Sequence, residues 1–202
     1  MAVRAGMAQI ITALRRMTDT EASSEAVETG NYFSDEMLQA ALDLHAIEHV
    51  RVPLTPIAEV LATNTLSYTQ YAIPSTVGRW LERPTDLTID GYFKVQDSLG
   101  ALVLFGTSEE EYTVDWSVMR VVFGKNREGH RFYLTARNYD INSAAADVWL
   151  EKAGQRAALV DWRTDNHQMW QDQEYQHCMQ MHRLYAGKSG MRLARFVRTD
   201  MR

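Results

Sequence analysis

Cysteine is nearly absent: Cys178 is the only one among 202 residues. No disulfide can close within the chain, which fits manufacture in a reducing cytoplasm. No apolar run approaches the roughly 18 residues a membrane-spanning helix needs, so no transmembrane segment is expected. The first residues, MAVRAGMAQIITALRRMT, carry only a short apolar stretch with Arg15 and Arg16 on its C-terminal side, so no secretory leader is expected either. Strong charge of one sign is also missing. A net charge of −5 excludes a chain that holds nucleic acid mainly by its overall charge. There is no internal repeat and no low-complexity tract. Glycine-rich phosphate loops are missing, because GKNREG (124–129) lacks the spacing of a P-loop and no G-x-G-x-x-G occurs. A G-x-S-x-G nucleophile elbow does not occur.

What is present is the composition of an ordinary globular protein, 46% hydrophobic and 23% charged, with length for one sizeable core or for a core plus a small module. Ten methionines and five tryptophans are many for this length. Both suit interfaces, and both also serve as core filler. Charge is unevenly placed. Residues 19–36 hold six acids (Asp19, Glu21, Glu25, Glu28, Asp35, Glu36) and no Lys or Arg, whereas 188–202 hold five bases (Lys188, Arg192, Arg195, Arg198, Arg202) and one acid, Asp200. Opposite poles favour head-to-tail association; the plainer reading is two solvated segments.

Periodicity predicts an α+β protein: a helical body of about four helices, an inserted antiparallel β module and an extended C-terminal tail. Residues 2–17 read as a helix through Val3, Met7, Ile10, Ile11 and Leu14. Residues 18–33 read as a polar loop. Ser34 reads as the N-cap of a second helix, with Asp35 and Glu36 in its first turn, running to about Val50 before Pro53 and Pro56. The stretches 67–73, 92–98, 101–105, 112–116, 118–123 and 131–139 are rich in β-branched and aromatic residues and read as strands, with WLERP (80–84) as a short turn or helix among them. Asn142 or Ser143 is expected to cap a third helix whose stripe is Ala145, Val148, Trp149, Ala153, Ala157 and Val160. A fourth helix is expected from Asp165 to about Ala186, with Tyr175, Cys178, Met179, His182 and Tyr185 on one side and Gly187 and Gly190 stopping it. The expected boundaries are 1–57 for the N-terminal helices, 58–139 for the β module, 140–190 for the C-terminal helices and 191–202 for a basic tail.

The sharpest chemical candidate is HAIEH, from His45 to His49. It matches the H-x-x-E-H pattern, in which two histidines at i and i+4 on one helix face hold zinc and Glu48 acts as general base. A third ligand would have to come from Glu151 or Glu174, neither of which sits in a second motif. The bland alternative is a histidine complementing a helix C-terminus. His177 and His182 are five apart and diverge by about 140° on a helix, which makes them poor co-ligands. Cys178 reads more readily as a buried core thiol than as a nucleophile. Glu109, Glu110 and Glu111 read as a solvated turn rather than a calcium loop. No acid, base and nucleophile assemble, and no metal or cofactor is expected.

The segment RNYDINSAAADVWLEKAGQRAALVDWRTDNHQMWQDQ (137–173) brings in a resemblance. A strand ending in Arg-x-Tyr-Asp, an Asn, three alanines, an Asp and a Lys-Ala pair resembles the head–tail adaptor (connector) family of tailed bacteriophages. LRRMTD (14–19) followed by YFSDEMLQAALD (32–43) resembles that family's opening helices. FKVQDSLG (93–100) and EYTVDWSVMRVVF (111–123) resemble its inserted β module. The likeness covers most of the chain, and it rests on the shared order of motifs. Two places depart from the pattern: TDNH (164–167), where a glycine follows the Asp in the family, and Trp116-Ser117, where a glycine turn is usual.

The resemblance implies a non-catalytic virion subunit, made in the host bacterial cytoplasm and located at the head–tail junction. It implies a ring of copies, usually twelve, beneath the portal protein, extending the channel for double-stranded DNA without reading its sequence and presenting a platform to the next neck or tail protein. No membrane is involved. It further implies that the C-terminal segment docks the portal, which here assigns that role to Met191, Arg192, Leu193, Arg195, Phe196, Val197, Arg198 and Arg202. A basic segment carrying Leu193, Phe196 and Val197 has charge for an acidic surface and apolar teeth for a groove. The alternatives that remain are another neck or tail-completion protein of the same particle, a zinc peptidase using HAIEH, and a host-derived binding module.

Overall fold

The computed structural model describes residues 3–20, 32–78, 80–83, 92–104, 106, 109–160 and 168–189. The protein is α+β, as its periodicity predicts. Among the described residues there are four α-helices, α1 (Ala8–Thr18), α2 (Asp35–Leu44), α3 (Ile141–Val160) and α4 (Gln168–Lys188). There are eight strands: β1 (Ala46–Pro53), β2 (Thr55–Val60), β3 (Leu66–Ala72), β4 (Lys94–Gln96), β5 (Leu102–Val103), β6 (Tyr112–Asp115), β7 (Arg120–Phe123) and β8 (Tyr133–Tyr139). The chain divides into two compact units. The first comprises residues 1–10 and 46–139, the second 11–45 and 140–202.

The first unit holds all eight strands. They form two antiparallel sheets, ordered β1-β8-β4-β5 and β2-β3-β7-β6. The sheets are joined by hydrogen bonds on one side and by the chain alone on the other. β1 leads into β2 through Leu54 alone, whose N–H donates to the Phe132 carbonyl. Beyond β5, the Leu104 carbonyl accepts from the N–H of Tyr112 in β6, and the Gly106 N–H donates back to the Tyr112 carbonyl. The strand order is therefore β1-β8-β4-β5-β6-β7-β3-β2, with β1 and β2 at its two ends, around one core that includes Tyr71, Val95, Tyr112, Val121, Phe123, Phe132 and Leu134. Its centre is aromatic: Phe123 stacks on Phe132 at 4.4 Å, and Tyr71 meets both edge-on.

Several expectations need correction. The second helix stops at Leu44, not near Val50, and the β unit begins at Ala46 rather than at 58. The segment 46–53 pairs with β8 from Ala46↔Tyr139 to Pro53↔Tyr133, with a bulge between His49 and Val52. There Arg51 adopts a left-handed φ of 52°. WLERP is neither turn nor helix where it is described. Tyr139 N–H donates to Trp80 O, Glu82 N–H donates to Arg137 O, and Leu81 bridges Asn138, so 80–82 lies along the end of β8. Gly78, at φ 86°, leads into it, and a Cβ there would collide with the Asn138 amide. The turn at Trp116-Ser117 manages without glycine. Asp115 Oδ1 accepts from both the Ser117 N–H and its hydroxyl, and Met119 takes the left-handed conformation, φ 55°.

In the second unit α3 packs against both α2 and α4. Ser34 caps α2 as expected, its Oγ accepting from the Met37 N–H at 3.2 Å. The cap of α3 is Asp140, not Asn142 or Ser143: Oδ1 accepts from the N–H groups of both, and Oδ2 accepts from the Ser143 hydroxyl. The expected stripe on α3 buries Ala145, Val148, Trp149 and Ala153, while Ala157 is exposed. α4 runs to Lys188 and contains Gly187, which the sequence reading places as its stop. Its packed side is the expected one, with Cys178 buried and Tyr175, Met179 and Tyr185 half-buried around it. No helix among the described residues is long and apolar enough to cross a membrane.

Candidate functional site

The residues of HAIEH do not converge. The helix that the i, i+4 geometry requires ends at Leu44, and 46–49 is extended strand. His45, in the second unit, donates from Nε2 to Asp147 Oδ2 at 2.6 Å. His49, in the first, donates from Nε2 to Asn138 Oδ1 at 3.2 Å. Glu48 is paired with Arg137, whose guanidinium also lies over the Tyr92 ring. Among the described residues no three His, Cys, Asp or Glu side chains gather to hold a metal. Glu151 is exposed, and Glu174 pairs with Arg156 at 2.9 Å. Glu109 and Glu110 are both bonded to Lys125, and Glu110 also to Arg127. Those two cations hold the Glu110 carboxyl below its ordinary range. The turn is solvated and neutralised from within.

Two polar centres escaped the sequence reading. The first is Glu82, buried in the β unit. Arg4 Nε donates to its Oε1 at 3.0 Å, the Tyr139 hydroxyl donates to its Oε2 at 2.6 Å, and Arg4 Nη2 donates to the Tyr139 oxygen at 2.9 Å. The triangle ties the N-terminal segment to the end of β8. Burial and the neighbouring carboxylate push the Tyr139 phenol well above its ordinary pKa.

The second is Lys152 on α3, only 3% exposed. Its ammonium donates to the carbonyls of Thr18 at 2.9 Å and Asp19 at 3.0 Å and sits 4.4 Å from the centre of the Trp149 ring. Trp149 Nε1 donates to the carbonyl of Met17. The last carbonyls of a helix lack intrahelical partners and carry its negative pole. Here two α3 side chains satisfy the last two of them, on Met17 and Thr18, and the Asp19 carbonyl just beyond α1. A clue was present in the sequence: Lys152 stands three residues after Trp149 and four after Val148, a charge placed on an apolar stripe. A cavity of about 310 Å³ opens beside this centre, lined in part by Lys152, Arg156, His177 and Cys178. Burial pushes the Cys178 thiol up.

The tail residues that the resemblance assigns to portal docking, Met191, Arg192, Leu193, Arg195, Phe196, Val197, Arg198 and Arg202, lie outside the described residues, as does the acidic stretch 21–31. On the described surface the prominent features are apolar. Leu99 is 91% exposed, and Val60, Leu61, Leu66, Leu102 and Leu104 are also exposed in the same unit. No family model, curated protein or solved structure matches the chain.

Proposed function

We propose that this chain is the head–tail adaptor subunit of a tailed bacteriophage. Copies of it form a ring beneath the portal, continue the DNA channel, and give the next neck or tail component its platform. One observation carries the reading: segments that resemble the adaptor family follow one another in the family's order, at 14–19, 32–43, 93–100, 111–123 and 137–173. The Arg-x-Tyr-Asp motif has a physical rationale consistent with that reading. Arg137 pairs with Glu48, Tyr139 bonds Glu82, and Asp140 caps α3, so four residues hold a strand end and start a helix. The net charge of −5 suits a conduit, since a strongly basic lumen would retain the duplex by its phosphates.

The subunit has no catalytic task in this proposal. The residues 191–202 reach the portal, their bases meeting acidic surface and Leu193, Phe196 and Val197 entering a groove. The test mixes purified portal with this chain and images the product by negative-stain microscopy. An added ring on the portal, lost when 191–202 are deleted from a chain that keeps its circular-dichroism spectrum, is the expected result. Normal co-assembly of the truncated chain overturns the docking role, and a particle neck that lacks this chain overturns the function. A chain located elsewhere in the neck reassigns it to another structural component.

A further inference from the structure

Sheet β1-β8-β4-β5 gives one face to the core, through Val95, Leu134 and Ala136. Successive strand residues point to opposite faces, so Tyr133, Thr135 and Arg137 of β8 and Lys94 and Gln96 of β4 lie on the other face. Register sets them side by side. Lys94 stands opposite Thr135, Gln96 opposite Tyr133, and Glu48 of β1 opposite Arg137. The β1 bulge falls opposite Thr135, where the Arg51 N–H donates to Thr135 Oγ1 at 3.2 Å. The Arg51 guanidinium lies 5.0 Å from the centre of the Tyr133 ring, and its Nη2 donates to the Ser98 carbonyl. Arg51 and Lys94 therefore flank Thr135 from the two neighbouring strands.

The acids of this face leave those two cations uncovered. Glu48 is paired with Arg137 at the edge of the patch. Asp97, in the β4–β5 turn, accepts through Oδ1 from the N–H groups of Leu99 and Ala101. Among the described residues Arg51 and Lys94 form no ion pair, whereas Arg4, Lys125 and Arg127 of the same unit each hold a carboxylate. Arg51 is also held in place at a cost. Its φ of 52° is one that a long side chain rarely adopts, and such a conformation persists only where the surroundings enforce it. Gly100 gives the guanidinium room, since a Cβ there would stand 3.2 Å from Nη1. A bulge re-aims the side chain it carries, and here it lays an arginine flat across the sheet.

We propose that this face meets the sugar–phosphate backbone of double-stranded DNA through Arg51 and Lys94. The proposal rests on the adaptor reading, which brings the duplex past each subunit, and it names the face turned to the channel. Charge complementarity selects the partner. The strands flanking β8 are about 10 Å apart, so the two cations start at about that separation. A duplex carries one phosphate charge per roughly 1.7 Å of axis, so several phosphates face such a patch at once. The guanidinium, already held over a ring, is a planar donor that fits phosphate oxygens. Two phosphate contacts give a slope of about −1.8 in log affinity against log salt, so this face loses about tenfold between roughly 50 and 200 mM. Contacts that weak guide a duplex without retaining it.

The test follows binding of the full chain to a short mixed-sequence duplex by fluorescence anisotropy across a salt series. The basic tail contributes equally to every variant, so differences in slope report the sheet. Arg51→Gln with Lys94→Gln is expected to make the slope shallower by about 1.8, and Lys94→Gln alone by about 0.9. The Lys94 ammonium has no hydrogen bond among the described residues, so the single variant keeps the fold if the double one does not. Arg183→Gln on α4 removes the same charge elsewhere and should leave the slope unchanged. An unchanged slope in Lys94→Gln, an equal change in Arg183→Gln, or the same loss of binding to polyglutamate overturns the proposal. Particles separate the two claims. Lys94→Cys, in a chain with Cys178→Ala, carries a thiol-linked photo-cross-linker into filled particles, where a cross-link to DNA is expected. A chain present in the neck without that cross-link sinks this face and spares the adaptor reading. The expected slopes from a chain absent from the neck do the reverse.

Discussion

Replacing Lys152 by Met removes the ammonium and keeps the length of the stem, which makes it the sharpest probe of how α1 is terminated. Two effects oppose each other. The ammonium is buried, and a buried charge carries a desolvation cost of several kcal/mol, so swapping a buried ion for an apolar side chain often leaves stability unchanged or raises it. Against that, Lys152 holds two carbonyls at the negative end of α1 and lies on the face of Trp149. Thr18 is fully buried, so its carbonyl, once abandoned, finds no water, at a cost of about 1–3 kcal/mol. Asp19 is exposed and its carbonyl can be hydrated at little cost. The helix-pole contribution of a partly buried cation adds up to about 2 kcal/mol. Methionine brings no N–H in place of the amine, so the carbonyls go unpaired, and Lys152→Met is expected to lose about 2 kcal/mol, which for a chain this long lowers Tm by roughly 4–8 °C. Urea unfolding at pH 7, followed by tryptophan fluorescence and far-ultraviolet circular dichroism, measures it. A pH series adds an independent arm. Burial lowers the Lys152 pKa below the ordinary 10.5. Between the lowered folded value and 10.5 the unfolded chain binds more protons, so this group makes stability rise with pH in that window. The difference between wild type and Lys152→Met therefore widens as pH climbs through it. A variant that is as stable as wild type at pH 7, or more stable, refutes the argument and shows that desolvation governs the site.

Three further outcomes follow from the same geometry. Asp140→Ala strips two backbone N–H groups and the Ser143 hydroxyl of their acceptor and should cost about 1 kcal/mol in the urea midpoint; an unchanged midpoint would show that another group takes over the cap. Glu82→Gln keeps the shape of the buried side chain and removes the charge facing Arg4, with an expected loss of about 2 kcal/mol and faster exchange of the Glu82 and Tyr139 amides; exchange as slow as wild type would count against the triangle as a clamp. Cys178 is buried and its thiol is raised, so Ellman's reagent at pH 8 should label the native chain at least about tenfold more slowly than the chain in urea, and equal rates would place the thiol at the surface.

Much of the architecture was legible in the residues, and the failures have identifiable causes. The α1 stripe, the Ser34 cap, the α3 and α4 faces and most strands were carried by periodicities that the folded chain keeps. The end of α2 was missed because the bulge at Arg51 breaks the alternation of the strand that follows, so Ile47, Val50 and Val52 do not keep a period of two. β2 was missed because nearly all of it is exposed, which leaves no buried face to imprint a pattern, and because Pro56 argues against a strand unless that strand is at an edge. The 80–82 segment was misread because its pairing with β8 spans more than fifty residues of sequence and leaves no local mark.

The site reading failed for a related reason. HAIEH reads as a metal motif only if its backbone is helical, and four residues of strand span about 13 Å where one helical turn spans less than half of that. A spacing motif is a statement about backbone conformation before it is one about chemistry, and the β-branched Ile47, Val50 and Val52 around it were the warning. Glu82 had no spacing to betray it, since its partners lie 78 and 57 residues away. Residues 60–78, which hold no Asp, Glu, Lys, Arg or His, are the converse case. Their lack of charge is plain in the sequence, and a run of that kind is ordinarily assigned to the interior. Strand pairing divides that run: its first seven residues, with Val60, Leu61 and Leu66, lie at the surface, whereas Ser67, Tyr71, Ile73 and Val77 are buried.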